Sequence, residues 1–166
     1  MQQQFSTPRL RLQLIGEADS TFIRALVNTE GWLQFIGNRN VYSDEDACRY
    51  IQKIRSTPDL YYWVVALKES NTPIGIISFL KRSYLDHFDL GFAFLPEFGG
   101  HGYAFEAAKE VLTAAEKLHE TVLASTISQN IRSVHLLTRL GFHFHKEIEV
   151  EKEKLHVYSY QGSLAV

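Results

Sequence analysis

Residues 99–107, GGHGYAFEA, place Gly99, Gly100 and Gly102 within four positions, directly in front of a run of helix formers. No other stretch limits the fold as tightly. The lead-in, FDLGFAFL (88–95), reads as a strand, and Pro96 stops it because proline has no donor for the ladder. Downstream, a helix is expected from about Ala104 to Leu118, with Ala104, Ala108, Val111, Leu112, Ala115 and Leu118 on its inner face. The joint is strand, glycine turn, helix. Glycine loses more conformational freedom on folding than any other residue, so such a cluster marks backbone that must pass where a side chain would block it. A tight turn satisfies that need, and so does a loop whose amides meet a ligand. The N–H groups from Gly100 to Ala104 have no helical acceptors and sit at the positive end of a helix dipole, which suits phosphate. The loop has neither the Gly-Lys-Ser/Thr ending of a Walker loop nor the G-x-G-x-x-G of a dinucleotide fingerprint.

The rest of the chain alternates strands and helices. RLRLQLI (9–15) alternates polar and apolar residues as a half-buried strand does. One helical segment is expected over 16–37, with Asp19 or Ser20 as its cap and Phe22, Ile23, Leu26 and Val27 at helical spacing. A second helix starts at the cap Ser43, with Asp46 three residues on as a capping box and Ala47, Tyr50, Ile51 and Ile54 on one face. Strands follow at 61–68 and 74–82 across the turn-rich ESNTP. After the glycine joint come a strand at 121–128, a helix from Asn130 to Gly141, and a closing pair of strands at 142–150 and 155–162. This order indicates an α/β (α+β) domain whose mostly antiparallel sheet contains at least one parallel pair, bridged by the 104–118 helix.

At 166 residues the chain is expected to form one domain over 1–166, with 45% hydrophobic and 22% charged residues as in ordinary globular proteins. A net charge of −2 gives no electrostatic case for nucleic acid or for an anionic membrane. One cysteine, Cys48, cannot make an internal disulfide and fits a reducing compartment. No apolar run reaches the length of about 20 residues that a membrane helix needs, and the first residues do not read as a signal peptide. The expectation is a soluble, cytoplasmic protein.

SQNIRSVHLLTRLGF (128–142) supplies a second signature, Asn130 and Ser133 opening a helix and Leu140-Gly141-Phe142 closing it. Gly100 and Gly102, then Asn-x-x-Ser some thirty residues on, then Leu-Gly-Phe, resemble the GNAT superfamily of acyl-CoA-dependent N-acyltransferases. TPRLRL (7–12), IGIISF (74–79) and DLGFAFLPEFGGHGYAFEA (89–107) are similar in particular to the bacterial ribosomal-protein N-terminal acetyltransferases. The resemblance runs in order over nearly the whole chain. It implies a single domain with a mixed sheet of about seven strands, splayed between 88–95 and 121–128 and flanked by about four helices.

The resemblance also assigns chemistry. Coenzyme A pyrophosphate is expected on the loop Gly99, Gly100, His101, Gly102, Tyr103 and Ala104, with Gly99 standing where relatives often carry Gln or Arg. The pantetheine arm would pair with the backbone of Phe92, Ala93 and Phe94, and Asn130 would contact that arm or hold the loop. Acetyl-CoA is then the co-substrate, no metal is needed, and the partner is an amine, either a peptide N-terminus or a small molecule, for a monomer or homodimer. An alkylamine is mostly protonated near neutrality, so a base or a desolvated site must take its proton. Asp89 matches an acidic position near the acceptor, as base through a water or as an attractor of the cationic substrate, with Asp86 and His87 as rivals. Leu137 stands where many relatives have an acid tyrosine. Ser133 is left either to donate to the leaving thiolate or to cap the helix, and the Phe94 N–H to polarise the carbonyl. Trp32, Phe35 and Tyr42 fall where the superfamily builds its acceptor wall. A non-catalytic acyl-CoA-binding module with the same fold is the alternative.

Other residues read as structural. His143 and His145 share a strand face without a third metal ligand, Tyr61, Tyr62 and Trp63 are core or sheet-face aromatics, and Arg9 and Arg11 alternate along an edge strand. Cys48 lies inside a helix beside apolar positions and makes no convincing nucleophile.

Overall fold

The computed structural model describes residues 1–163. Eight strands form one sheet: β1 (Gln4–Ser6), β2 (Leu10–Leu14), β3 (Leu60–Leu67), β4 (Pro73–Leu80), β5 (Asp89–Phe94), β6 (Thr121–Thr126), β7 (His143–Val150) and β8 (Glu153–Gln161), in the order β1-β2-β3-β4-β5-β6-β8-β7. Among the described residues five α-helices accompany them: α1 (Ser20–Val27), α2 (Glu30–Phe35), α3 (Asp44–Ser56), α4 (Tyr103–Ala115) and α5 (Ile131–Leu140). The α/β reading holds, with one more strand and one more helix than expected. None of these helices is long and apolar enough to cross a membrane.

The extra helix comes from Thr29. Its hydroxyl donates to the Leu26 carbonyl at 2.9 Å and accepts the Trp32 N–H at 3.3 Å, ending α1 and capping α2 within the segment expected to be continuous. The extra strand, β1, is too short to show a period, and it covers β2, so Arg11 does not lie on an edge strand. Ser43 caps α3 through the Asp46 N–H, but the Asp46 carboxylate reaches back to the Tyr42 N–H, one residue earlier than a capping box requires. Helix α4 stops at Ala115, leaving Leu118 63% exposed rather than on the inner face.

Side-chain alternation along the central strands divides the core between the two sheet faces. Trp63, Val65 and Ile77 pack with Ala107, Ala108, Val111 and Leu112 of α4. Val64 and Ile76 turn the other way, onto Ile23 and Leu26 of α1 and Ile51 of α3. Strands buried on both faces read as continuous apolar runs, as PIGIISFL does. All neighbours pair antiparallel except β5 and β6, the parallel pair that α4 connects, and these two meet in register only at Asp89 and Leu123. Past that point the sheet is open.

Candidate functional site

The glycine turn forms one end of the site. Gly100 and Gly102 have φ of +79° and +78°, a region in which side-chain-bearing residues are strained, so two of the three glycines are required by conformation. Gly99, at φ −68°, is not. Gly102 is the N-cap of α4 and has no side chain to close it, leaving the first-turn N–H groups available to an anion. His101 is exposed and its ring lies 5.5 Å from that of Tyr103. Arg9 binds this turn: its Nη1 donates to the His101 carbonyl at 3.0 Å and its guanidinium lies over the Tyr103 ring at 4.4 Å.

The other end lies where β5 meets β6. The Leu123 N–H donates to the Phe88 carbonyl at 2.8 Å, as in a parallel ladder. The next N–H on that side, from Ser125, goes instead to Asp89 Oδ1 at 2.9 Å. The second carboxylate oxygen accepts from Arg82 Nε and from the Ser125 hydroxyl at 3.3 Å. A side chain has replaced a main-chain acceptor at the point where the two strands part. Asp89 is 2% exposed. Burial pushes its carboxyl up from the ordinary value, with Arg82 and Ser125 acting against that. Burial would pull the Arg82 guanidinium down, but Asp89 outweighs it and holds Arg82 more firmly charged than usual.

Between the parted strands lies a cleft of about 360 Å³. Its walls bring together Asp89, Phe92 and Ala93 of β5, Asn130 and Ser133 at the start of α5, and Trp32 and Phe35 of α2. Asn130 Oδ1 accepts the Ser133 N–H at 3.3 Å, so it caps the helix, and its Nδ2 has no partner among the described residues. Leu137 lines the cleft floor, almost fully buried. Tyr42 is not in the cleft. It is 63% exposed and its hydroxyl bonds to Asn38 and Asn40. The glycine turn and Phe94 also lie outside the walls, reached from the cleft along β5. The four residues Gly91–Phe94 carry the strand about 13 Å in that direction.

Several lining residues carry no sequence signal. Arg82 and Tyr84 follow β4 in an irregular stretch, Ser125 lies inside an ordinary strand, and Glu151 and Glu153 reach the cleft from the tight β7–β8 turn. Tyr62 also lines the cleft rather than only the core, and burial pushes its hydroxyl pKa far up. Glu151 and Lys152 both take positive φ without being glycine, a turn that no residue type in the sequence announces.

Comparison with known proteins agrees with this fold. An N-acetyltransferase of Bacillus subtilis, YnaD, itself uncharacterized, is 29% identical over 104 residues, covering 61% of this chain and 60% of that protein. The ribosomal-protein-S5-alanine acetyltransferase of Vibrio fischeri superposes with a TM-score of 0.77 at 20% identity, over 96% of this chain and 97% of that one. The spermidine N-acetyltransferase of Vibrio cholerae, solved with coenzyme A and spermine, gives 0.80 at 17% identity, over 95% and 98%. Residues 9–143 match the acetyltransferase (GNAT) domain, most of the chain, and the chain therefore belongs to the GNAT acetyltransferase family.

Proposed function

We propose that residues 1–166 work as one domain that transfers the acetyl group of acetyl-CoA to a primary amine by direct attack, with both substrates bound at once. The observation that carries this reading is the arrangement along β5. An uncapped helix N-terminus with two left-handed glycines lies beyond one end, an opened sheet edge runs along its length, and a cleft with polar groups lies at the other end. A ligand with a pyrophosphate, an extended amide arm and a terminal thioester needs those three surfaces in that order. Loop backbone from Gly99 to Ala104 would hold the phosphates, and the free edge of Phe92, Ala93 and Phe94 would pair with the arm. Asn130 Nδ2 would donate to it as well.

At the thioester, the amine must lose a proton and the thiolate must leave. Ser133 supports the leaving group as a hydroxyl donor on the cleft wall, whereas the Phe94 N–H, expected to polarise the carbonyl, lies toward the glycine turn and outside those walls. Asp89 contributes as a positioning residue. Its oxygens are engaged by Arg82 and Ser125, and accepting a proton requires it to release one of them. In that role it keeps β6 away from β5 and holds Arg82 at the cleft. Trp32 and Phe35 form the acceptor wall, and Glu151 and Glu153 bring negative charge that suits a cationic amine. The similarity to ribosomal-protein and spermidine acetyltransferases supports peptide N-termini and polyamines as the first acceptors to try. A reducing cytoplasm suits a chain with one cysteine.

The buried Leu137, at a position where relatives place an acid tyrosine, favours the second reading, a non-catalytic acyl-CoA sensor. One experiment separates them. The protein is incubated with acetyl-CoA and a panel of peptides, polyamines, aminoglycosides and amino acids, and free thiol is measured. Amine-dependent release supports the enzyme. Tight binding of coenzyme A without release from any amine supports the sensor.

A further inference from the structure

Helix α4 carries a carboxylate, Glu106, in its first turn, at the helix end proposed to receive a pyrophosphate. Alone, that carboxylate would compete for the positive helix terminus and repel an incoming phosphate. Its surroundings remove the conflict. Oε1 accepts from the Thr7 hydroxyl at 2.6 Å and from the Arg9 N–H at 3.0 Å, and Oε2 accepts from Arg9 Nε at 2.7 Å. Burial would raise the Glu106 carboxyl, but these bonds outweigh it and hold the pKa below the ordinary value. The same guanidinium reaches the His101 carbonyl and covers Tyr103, so one side chain joins Glu106 to the glycine turn. Arg9 is itself fixed. Thr7 N–H donates to the Leu10 carbonyl at 2.9 Å, Leu10 N–H to the Thr7 hydroxyl at 3.0 Å, and Lys68 N–H to the Arg9 carbonyl at 2.9 Å.

We propose that Arg9 is a positioning residue for the coenzyme A site, pinning the Gly100–Gly102 turn in its phosphate-receiving shape and neutralising Glu106 so that the pyrophosphate meets no opposing charge. This rests on the reading of that turn as the coenzyme A loop. A turn with three glycines has many shapes to lose, and ordering it beforehand lowers the entropic cost of binding. Arginine is needed because its planar fork reaches Glu106 with Nε and His101 with Nη1 together, which a lysine ammonium cannot do.

The test uses the full chain with Arg9→Ala, Arg9→Lys and the double variant Arg9→Ala/Glu106→Gln. Coenzyme A affinity is measured by calorimetry, and thiol release is compared between acetyl-CoA and S-acetylpantetheine, which lacks the pyrophosphate. Arg9→Ala should weaken coenzyme A by about tenfold or more, and Arg9→Lys by less. The double variant should bind coenzyme A more tightly than Arg9→Ala, because the exposed like charge is gone. A purely structural salt bridge would not give that recovery. Loss of turnover should be greater with acetyl-CoA than with S-acetylpantetheine by about the same tenfold. Parental affinity in Arg9→Ala, no recovery in the double variant, or equal losses with the two thioesters would each overturn the proposal. Should Arg9→Ala fail to fold, Arg9→Lys carries the same comparison of thioesters. Failure of the parent protein to bind coenzyme A would instead refute the underlying reading of the loop.

Discussion

The two ends of β5 are built on opposite principles. Beyond its C-terminal end, the glycine turn offers main-chain N–H groups, and the side chains around it, Arg9 and Glu106, serve to hold that backbone. At its N-terminal end the relation reverses, because the Asp89 carboxylate substitutes for main chain and takes the Ser125 N–H that the opened ladder leaves over. The two carboxylates differ accordingly. Glu106 is held low by the hydroxyl and cation beside it, whereas burial pushes Asp89 up against the pull of Arg82. A diffuse pyrophosphate suits a backbone cradle with its nearby charge balanced. A reaction centre needs a gap of fixed width, and a buried, multiply bonded side chain sets one.

Substitution at the loop should have the largest effect. Gly102→Val should abolish coenzyme A binding in a folded protein. A Cβ there meets only Arg9 Nη2, at 3.5 Å, so packing tolerates it. The positive φ is the obstacle, costing a β-branched residue about 1–2 kcal/mol or driving the turn into another shape. Normal affinity by calorimetry, with an unchanged circular dichroism spectrum, would remove the turn from the phosphate site.

The other end should respond first in stability. Asp89→Ala leaves Arg82 without its partner and the Ser125 N–H without an acceptor, and should cost about 3 kcal/mol, the lower end for a broken buried pair, since Arg82 retains some contact with solvent. Urea denaturation measures it, and a loss below a third of that would mean the pair does not hold the strands. Asp89→Asn should lower kcat, as a proton acceptor's loss also would. If Asp89 sets the gap, the loss stays constant as pH rises through the neutral range. If it takes the amine's proton, the loss shrinks as the amine deprotonates unaided.

Asn130→Ala tests the junction between the two ends. Removing both the cap and the free Nδ2 should weaken acetyl-CoA by about 1–3 kcal/mol. Unchanged binding beside a loss of helix stability would leave Asn130 as a cap alone. The smallest effect is on acid stability. The folded pKa of Glu106 lies below its unfolded value of 4.5, so its stabilisation is present above that pH and is lost as pH falls through the lowered folded value. Glu106→Gln should flatten the fall of the urea midpoint in that acid window and leave its shape near neutrality unchanged. A parallel curve would show that the carboxylate is not held in solution as it is here.

Features set by a residue's own backbone preference could be read from the chain. Pro96 ends β5, Gly102 and Gly141 stand at helix ends with positive φ, and Asn130 and Ser43 cap the helices expected of them. The apolar period of α3 and the apolar run of β4 were equally plain. Thr29 went unread because a hydroxyl that stops one helix and starts another looks the same as a tolerated threonine inside a longer one. The pairings between the site's side chains were illegible for another reason. Asp89 and Ser125 are 36 positions apart, and Arg9 and Glu106 are 97 apart. No local spacing links them.

Apart from β1 and the break at Thr29, the sequence alone determined the order of strands and helices, the strand-turn-helix joint, and a helix end open to an anion, since each follows from local φ/ψ preference and hydrophobic period. Only the tertiary structure decided where β5 and β6 part, which carboxylate is buried and which is balanced, and that Arg9 serves the glycine turn. These depend on desolvation and on hydrogen bonds between distant segments, and neither exists until the sheet has closed around them.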